Sequence, residues 1–82
     1  MLNILYFASL REQLSCNQEQ VNYIPGETVR QLAVRLAAQH AGVASDLCAA
    51  TTRCAVNQRL ASEAEQLADG AEVAFFPPVT GG

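Results

Sequence analysis

The residues of this 82-residue chain with the most chemistry to offer are the last ten, Val73-Ala-Phe-Phe-Pro-Pro-Val-Thr-Gly-Gly82. Val73, Phe75 and Phe76 have the bulk that suits a pleated strand. Pro77 and Pro78 cannot donate to a sheet ladder and favour an extended path. Pro77, Pro78, Val79 and Thr80 should therefore form a stalk leaving the body. Six residues from Pro77 to Gly82 span about 20 Å at roughly 3.3 Å each, enough to enter another protein's pocket. Gly81 and Gly82 lack a Cβ, so the tip can pass a narrow channel and present its carboxylate unhindered.

Elsewhere the reactive side chains are sparse. Cys16, Cys48 and Cys54 are odd in number and, with the single His40, lack the spacing of a metal site, so no metal is expected. Reduced thiols, with Cys54 as core filler, are the expectation. His40 falls in a last helical turn, where a cation suits the helix dipole. No set of residues resembles a general acid and base. All five cations are arginines; the chain has no lysine to receive an acyl group on its own surface.

The totals narrow the class. The length allows one domain and one small core. Half the residues are hydrophobic and 16% are charged, which is a globular composition. With a net charge of −3 and no basic cluster, nucleic acid is not an expected partner. No apolar run approaches the roughly 20 residues of a membrane span, and no secretion signal is visible at Met1-Leu-Asn-Ile-Leu-Tyr-Phe7, so a cytoplasmic location is expected.

Alternation over residues 2–8 predicts a strand with Leu2, Ile4 and Tyr6 on one face and Asn3, Leu5 and Phe7 on the other. Ser9-Leu-Arg-Glu12 matches a capping box and opens a short helix ending near Ser15. Gln20 to Ile24 reads as a second strand, stopped by Pro25-Gly26. Thr28-Val-Arg-Gln31 is a second capping box, opening the main helix. Its buried stripe is Val29, Leu32, Ala33, Leu36, Ala37 and His40, with Arg30, Gln31, Arg35 and Gln39 opposite and Gly42 as the stop. Residues 43–51 read as a loop or short turn. Thr52 to Asn57 is a third strand with Cys54 and Val56 inward, and Asn57-Gln-Arg-Leu60 bends into a short edge strand. Ser62-Glu-Ala-Glu65 is a third capping-box match, predicting one helical turn before Ala68-Asp69-Gly70. Residues 72–76 form the last strand.

One amphipathic helix with about five strands predicts an α+β, two-layer domain. Its order allows a ubiquitin-like β-grasp, a mixed sheet with the first and last strands as parallel neighbours. Residues 1–76 would be the domain and 77–82 the extended tail. If Val73 and Phe75 face the helix, Phe76 and Phe7 face outward beside the stalk. Exposed aromatics there would suit a protein interface.

Set beside known families, the chain resembles the small, sulfur-carrying subunit of molybdopterin synthase. The resemblance rests on Asp69-Gly70 followed by Glu72-Val-Ala-Phe-Phe-Pro-Pro-Val-Thr-Gly-Gly82. Phe7-Ala8 with Leu10-Arg11-Glu12, and Ala55-Val-Asn-Gln58, support it. It extends over essentially the whole chain and departs at Ala71, where the family often has an acid. The resemblance adds Leu60 to the interface expected from Phe7 and Phe76. Arg11 is either a rim contact of that interface or part of a solvated helix face.

The resemblance also implies a mechanism. An E1-like enzyme uses ATP to adenylate the Gly82 carboxylate, and a persulfide sulfur supplied by a cysteine desulfurase or rhodanese-like protein replaces the adenylate. The resulting thiocarboxylate enters the large subunit and gives sulfur to a cyclic pyranopterin precursor. Two small and two large subunits are the implied assembly, with acid and base residues on the large one. Three alternatives share the fold: a carrier for thiamine thiazole synthesis or tRNA thiolation, a protein modifier attached through Gly82, and a binding module with an inert tail.

Overall fold

The computed structural model describes residues 1–40, 47 and 52–77. In chain order these form strand β1 (Leu2–Tyr6), helix α1 (Ala8–Leu14), strand β2 (Gln18–Val21), helix α2 (Val29–Gln39), and strands β3 (Arg53–Val56), β4 (Arg59–Leu60) and β5 (Glu72–Phe76). The sheet order is β2-β1-β5-β3-β4. β1 and β5 run parallel, Ile4 beside Val73 and Tyr6 beside Phe75, and the other pairings are antiparallel. This is the mixed five-stranded sheet expected, with the last strand at its centre.

Alternation sorts the residues onto two faces. Leu2, Ile4, Tyr6, Cys54, Val56, Val73 and Phe75 point inward and pack with Val29, Leu32, Ala33 and Leu36 of α2. Leu2, Ile4, Leu32, Leu36 and Val73 are wholly buried, so the helix stripe meets the sheet as the periodicity requires. The Thr28 box forms in full: its hydroxyl accepts from the Gln31 amide, and the Gln31 side chain accepts from the Thr28 amide.

Two turns explain their residue types. Asn57 (φ 51°) and Gln58 (φ 67°) are both left-handed and form the two-residue link between β3 and β4, where asparagine tolerates the geometry better than most side chains. Asn57 also clasps β5: its amide donates to the Glu72 carbonyl at 2.8 Å, and its side-chain oxygen accepts from the Glu72 amide at 3.0 Å. At Asp69-Gly70 the chain reverses with Gly70 at φ 86° and the Ala71 amide donating to Ala68, a conformation that favours glycine. Ala71, the departure from the family pattern, is buried and accepts the Asn3 amide.

Several expectations need correction. β1 ends at Tyr6 rather than residue 8, because the parallel ladder passes through the Phe7 amide to the Phe75 carbonyl and the helix starts at once. The Ser9 box does not form: Phe7 is the N-cap with no side-chain cap bond, and its carbonyl takes the Leu10 amide. The helix does close at Ser15, in a left-handed cap. β2 lies at 18–21, not 20–24, since pairing with β1 sets Leu2 against Val21 and Leu5 against Gln18. Ile24, outside the strand, is exposed.

The Ser62 box gives a turn, not a helical turn, with the Glu65 amide on the Ser62 carbonyl. This segment instead caps α2. The carbonyls of Glu65 and Glu63 accept the first amides of that helix, from Val29 at 2.9 Å and Arg30 at 3.0 Å. Arg35 is not on a solvated face. It makes two bonds to buried Glu27 (3.0 and 2.8 Å) and one to the Asn22 carbonyl. Gly42, the expected helix stop, and Cys48 lie outside the described residues.

Candidate functional site

The site grows from the end of β5. That strand is hydrogen-bonded on both sides, to β1 and β3, so the point where the tail departs is held as firmly as anything in the sheet. Phe76 is its last residue and is half-buried, as is Pro77. Pro78, Val79, Thr80, Gly81 and Gly82 lie outside the described residues.

The register then shows which candidate residues share a face. Leu5, Ala74, Ala55 and Leu60 are successive partners across β1, β5, β3 and β4. They form a row on the side away from α2. Ala74, flanked by Leu5 and Ala55 in the central strand, is only 8% exposed. One step toward the tail, Phe7 continues the β1 ladder beside Phe76. Phe7 is 45% exposed and Leu60 71%. Spacings of about 4.8 Å between strands and 3.3 Å along them put Leu60 roughly 12 Å from Phe76. Phe7, Phe76 and Leu60 thus lie on one apolar surface around the tail's root, and Arg11 is exposed on α1, one turn past Phe7. Sequence reasoning missed Arg53, which the β3–β5 pairing sets directly opposite Phe76. Only knowledge of the register could have found it.

The body's remaining polar groups serve the fold. The Tyr6 hydroxyl donates to Glu19 at 2.6 Å, and the same carboxylate oxygen lies 2.7 Å from His40 Nε2. Burial first, and then bonding to Glu19, push the Tyr6 hydroxyl well above its ordinary range, so it remains a donor. The Tyr6 ring meets His40 edge-on and stacks on Phe75. His40 is therefore a helix-end residue tied into the core edge, as its position predicts. Burial, with a smaller contribution from Glu65, pushes the Cys54 thiol up to about 12, making it a poor nucleophile. The Cys16 thiol donates to the Gln18 carbonyl. Among the described residues no group of three His, Cys, Asp or Glu side chains could hold a metal ion, and no helix is long and apolar enough to cross a membrane. Among the described residues, the end of β5 is thus set beside an exposed apolar face that includes Phe7 and Leu60.

Comparison with known proteins agrees over the whole chain. Residues 4–82 match the ThiS family. The molybdopterin synthase sulfur carrier subunit of Escherichia coli (strain K12) is 43% identical over 82 residues, covering 100% of both chains. Among solved structures, one described as molybdopterin converting factor, subunit 1, from Pyrococcus furiosus superposes with a TM-score of 0.80 at 30% identity, over 95% of this chain and 97% of that one. A complex of subunits 1 and 2 of the molybdopterin-converting factor from Helicobacter pylori 26695 contains the same fold, with a TM-score of 0.64 at 18% identity over 99% of this chain and 97% of that one. A β-grasp body ending in this motif, matched from end to end by such relatives, has one family assignment: the chain belongs to the ThiS family, with molybdopterin synthase sulfur carrier subunits as its full-length relatives.

Proposed function

We propose that this protein is the sulfur carrier subunit of a molybdopterin synthase. The observation that carries the proposal is the Phe-Phe-Pro-Pro-Val-Thr-Gly-Gly82 sequence, which begins at the end of the sheet's central strand. Residues 1–76 supply the docking surface, and 77–82 deliver the reactive end. The Gly82 carboxylate attacks the α-phosphorus of ATP on an E1-like enzyme, expelling pyrophosphate. A persulfide, from a cysteine desulfurase or rhodanese-like donor, attacks the acyl carbon and expels AMP. A second thiol reduces the resulting S–S bond, which leaves a thiocarboxylate. That sulfur attacks the pyranopterin precursor inside the large subunit, which supplies the proton-transferring groups. Two deliveries complete the dithiolene. The chain is thus the sulfur-donating part of a sulfurtransferase and works in the cytoplasm.

The docking surface in this proposal is Phe7, Phe76 and Leu60, with Arg11 at its edge. Gly81 admits the tip to the channel, and Pro77, Pro78, Val79 and Thr80 set its reach. The test is intact mass after incubation with activating enzyme, ATP and a sulfur donor, followed by a reconstituted synthase assay. Replacement of one oxygen by sulfur at Gly82, and product formation, are the expected results. A lysine-linked conjugate would indicate a modifier instead, and an unchanged mass would indicate an inert tail.

A further inference from the structure

Three of the five arginines face a carboxylate: Arg30 lies 4.0 Å from Glu63, Arg35 2.8 Å from Glu27 and Arg59 3.0 Å from Glu65. The other two, Arg11 and Arg53, have no carboxylate within salt-bridge distance among the described residues, and both are exposed. The fold brings these two to the same end of the sheet. Arg53 is the cross-strand partner of Phe76. Arg11 sits one helical turn beyond Phe7, whose amide is bonded to the Phe75 carbonyl.

The local charge balance runs against that of the whole chain, which is −3. Of the carboxylates on adjoining elements, Glu12 neighbours Arg11 on α1, Glu63 is opposite Arg30, and Glu65, which lies near Cys54, is opposite Arg59. Glu72 is at the far end of β5, about 13 Å from Phe76. Glu19 is held by Tyr6 and His40. Among the described residues Arg11 and Arg53 together outweigh Glu12, so the rim of the tail's root is cationic on an acidic protein.

The length of the tail says what this rim meets. For Gly82 to work about 20 Å from the body, the mouth of the receiving pocket must close around Pro77. Phe7 and Phe76 then lie against the mouth, with Arg11 and Arg53 at its edge. An arginine partly desolvated in an interface without an opposite charge costs affinity, whereas one meeting a carboxylate speeds encounter and fixes orientation.

We propose that Arg53, with Arg11, reads carboxylates on the rim of the large subunit's tail-receiving pocket, making it a specificity residue for that partner. The proposal rests on the carrier reading above. Its measurable signature is electrostatic steering, which an apolar face alone does not give.

Stopped-flow association of the whole chain with the purified large subunit, from low to high salt, provides the test. Arg53→Gln should slow association several-fold and flatten its salt dependence. Arg53→Glu should slow it about tenfold or more at low salt, while dissociation changes less. Replacing a mouth carboxylate of the large subunit with arginine should restore the rate to Arg53→Glu. Thermal melting controls for folding, and Arg53→Gln keeps the side chain polar should the charge reversal disturb β3. Association rates and salt slopes equal to those of the parent chain in both variants would overturn this inference and leave the carrier reading standing. Failure of the parent chain to acquire sulfur or to bind the large subunit would overturn both.

Discussion

The bond from the Tyr6 hydroxyl to Glu19 can be isolated by Tyr6→Phe, which keeps the ring stacked on Phe75 and removes only the donor. The hydroxyl belongs to a 1% exposed residue and meets the carboxylate at 2.6 Å. Hydrogen bonds to charged groups contribute about 1.5–3 kcal/mol. Glu19 is 24% exposed and keeps His40 as a partner, so the lower part of that range applies, about 1.5–2 kcal/mol. With about 2.1 cal/mol/K of unfolding entropy per residue, a chain of 82 residues should lose roughly 9–12 °C in Tm. Glu19→Ala should cost more, because it leaves a buried hydroxyl without an acceptor. The double variant should fall short of the sum by about 1 kcal/mol. Scanning calorimetry of the four proteins gives all of these numbers. A Tyr6→Phe protein melting within about 2 °C of the parent, with additive double-variant costs, would refute the claim that this network ties β1, β2 and the end of α2 together.

Phe76→Ala should weaken binding to the large subunit by about 2 kcal/mol, as for a buried aromatic anchor, with a smaller loss of stability; titration calorimetry beside a melting curve separates the two. Leu32→Ala or Leu36→Ala, each removing a wholly buried side chain, should cost roughly 2–5 kcal/mol, while the folded fraction still accepts sulfur in the activating reaction. Tyr6 and Cys54 both titrate higher in the folded chain than in the unfolded one. Their contribution is complete below about pH 9 and is lost as pH rises toward 12, by up to about 1.4 kcal/mol per pH unit per group. Urea midpoints from pH 8 to 11 should therefore fall, and less steeply in Cys54→Ala. Deleting Gly82 moves the carboxylate back by about 3.5 Å, and adding a residue after it replaces the acid with an amide. Either change should leave folding intact and reduce synthase turnover by two orders of magnitude or more; normal turnover by the extended protein, with the extra residue still attached, would rule out the carrier mechanism.

Three stretches of this chain match the capping-box pattern, and the structure uses them in three ways. Thr28 caps a helix because Val29, Leu32, Ala33 and Leu36 follow at helical spacing and have a sheet to cover. Ser62 precedes no such stripe, and the carbonyls around it go to the amides of α2. Ser9 lies just inside a helix whose start is set by Phe7, still engaged with β5. Local pattern thus reported which residues can cap, and tertiary partners decided which do. The inward faces of β1, β3 and β5, the turn at Asn57 and the exposure of Phe7 were legible because alternation and turn chemistry are local, whereas Leu60 came from the family resemblance. Register is not local. The shift of β2, the meeting of Tyr6, Glu19 and His40, and the place of Arg53 beside Phe76 all depend on which residue of one strand faces which residue of another.

The sheet order has a consequence for how the protein is made. β1 with β2 and β3 with β4 are near in sequence and can pair as they leave the ribosome, N-terminal parts first. Only β5 joins the two pairs, and it is the last strand synthesised. A nascent chain therefore lacks the strand that joins the two pairs until residues 72–76 are made, and closing the sheet requires the slow, long-range pairing of β1 with β5. A chain stopped before residue 72 lacks the tail and also the strand that unites its body. Pulse proteolysis of such a fragment should find no protected core. Premature termination before residue 72 therefore yields an unfolded fragment open to degradation.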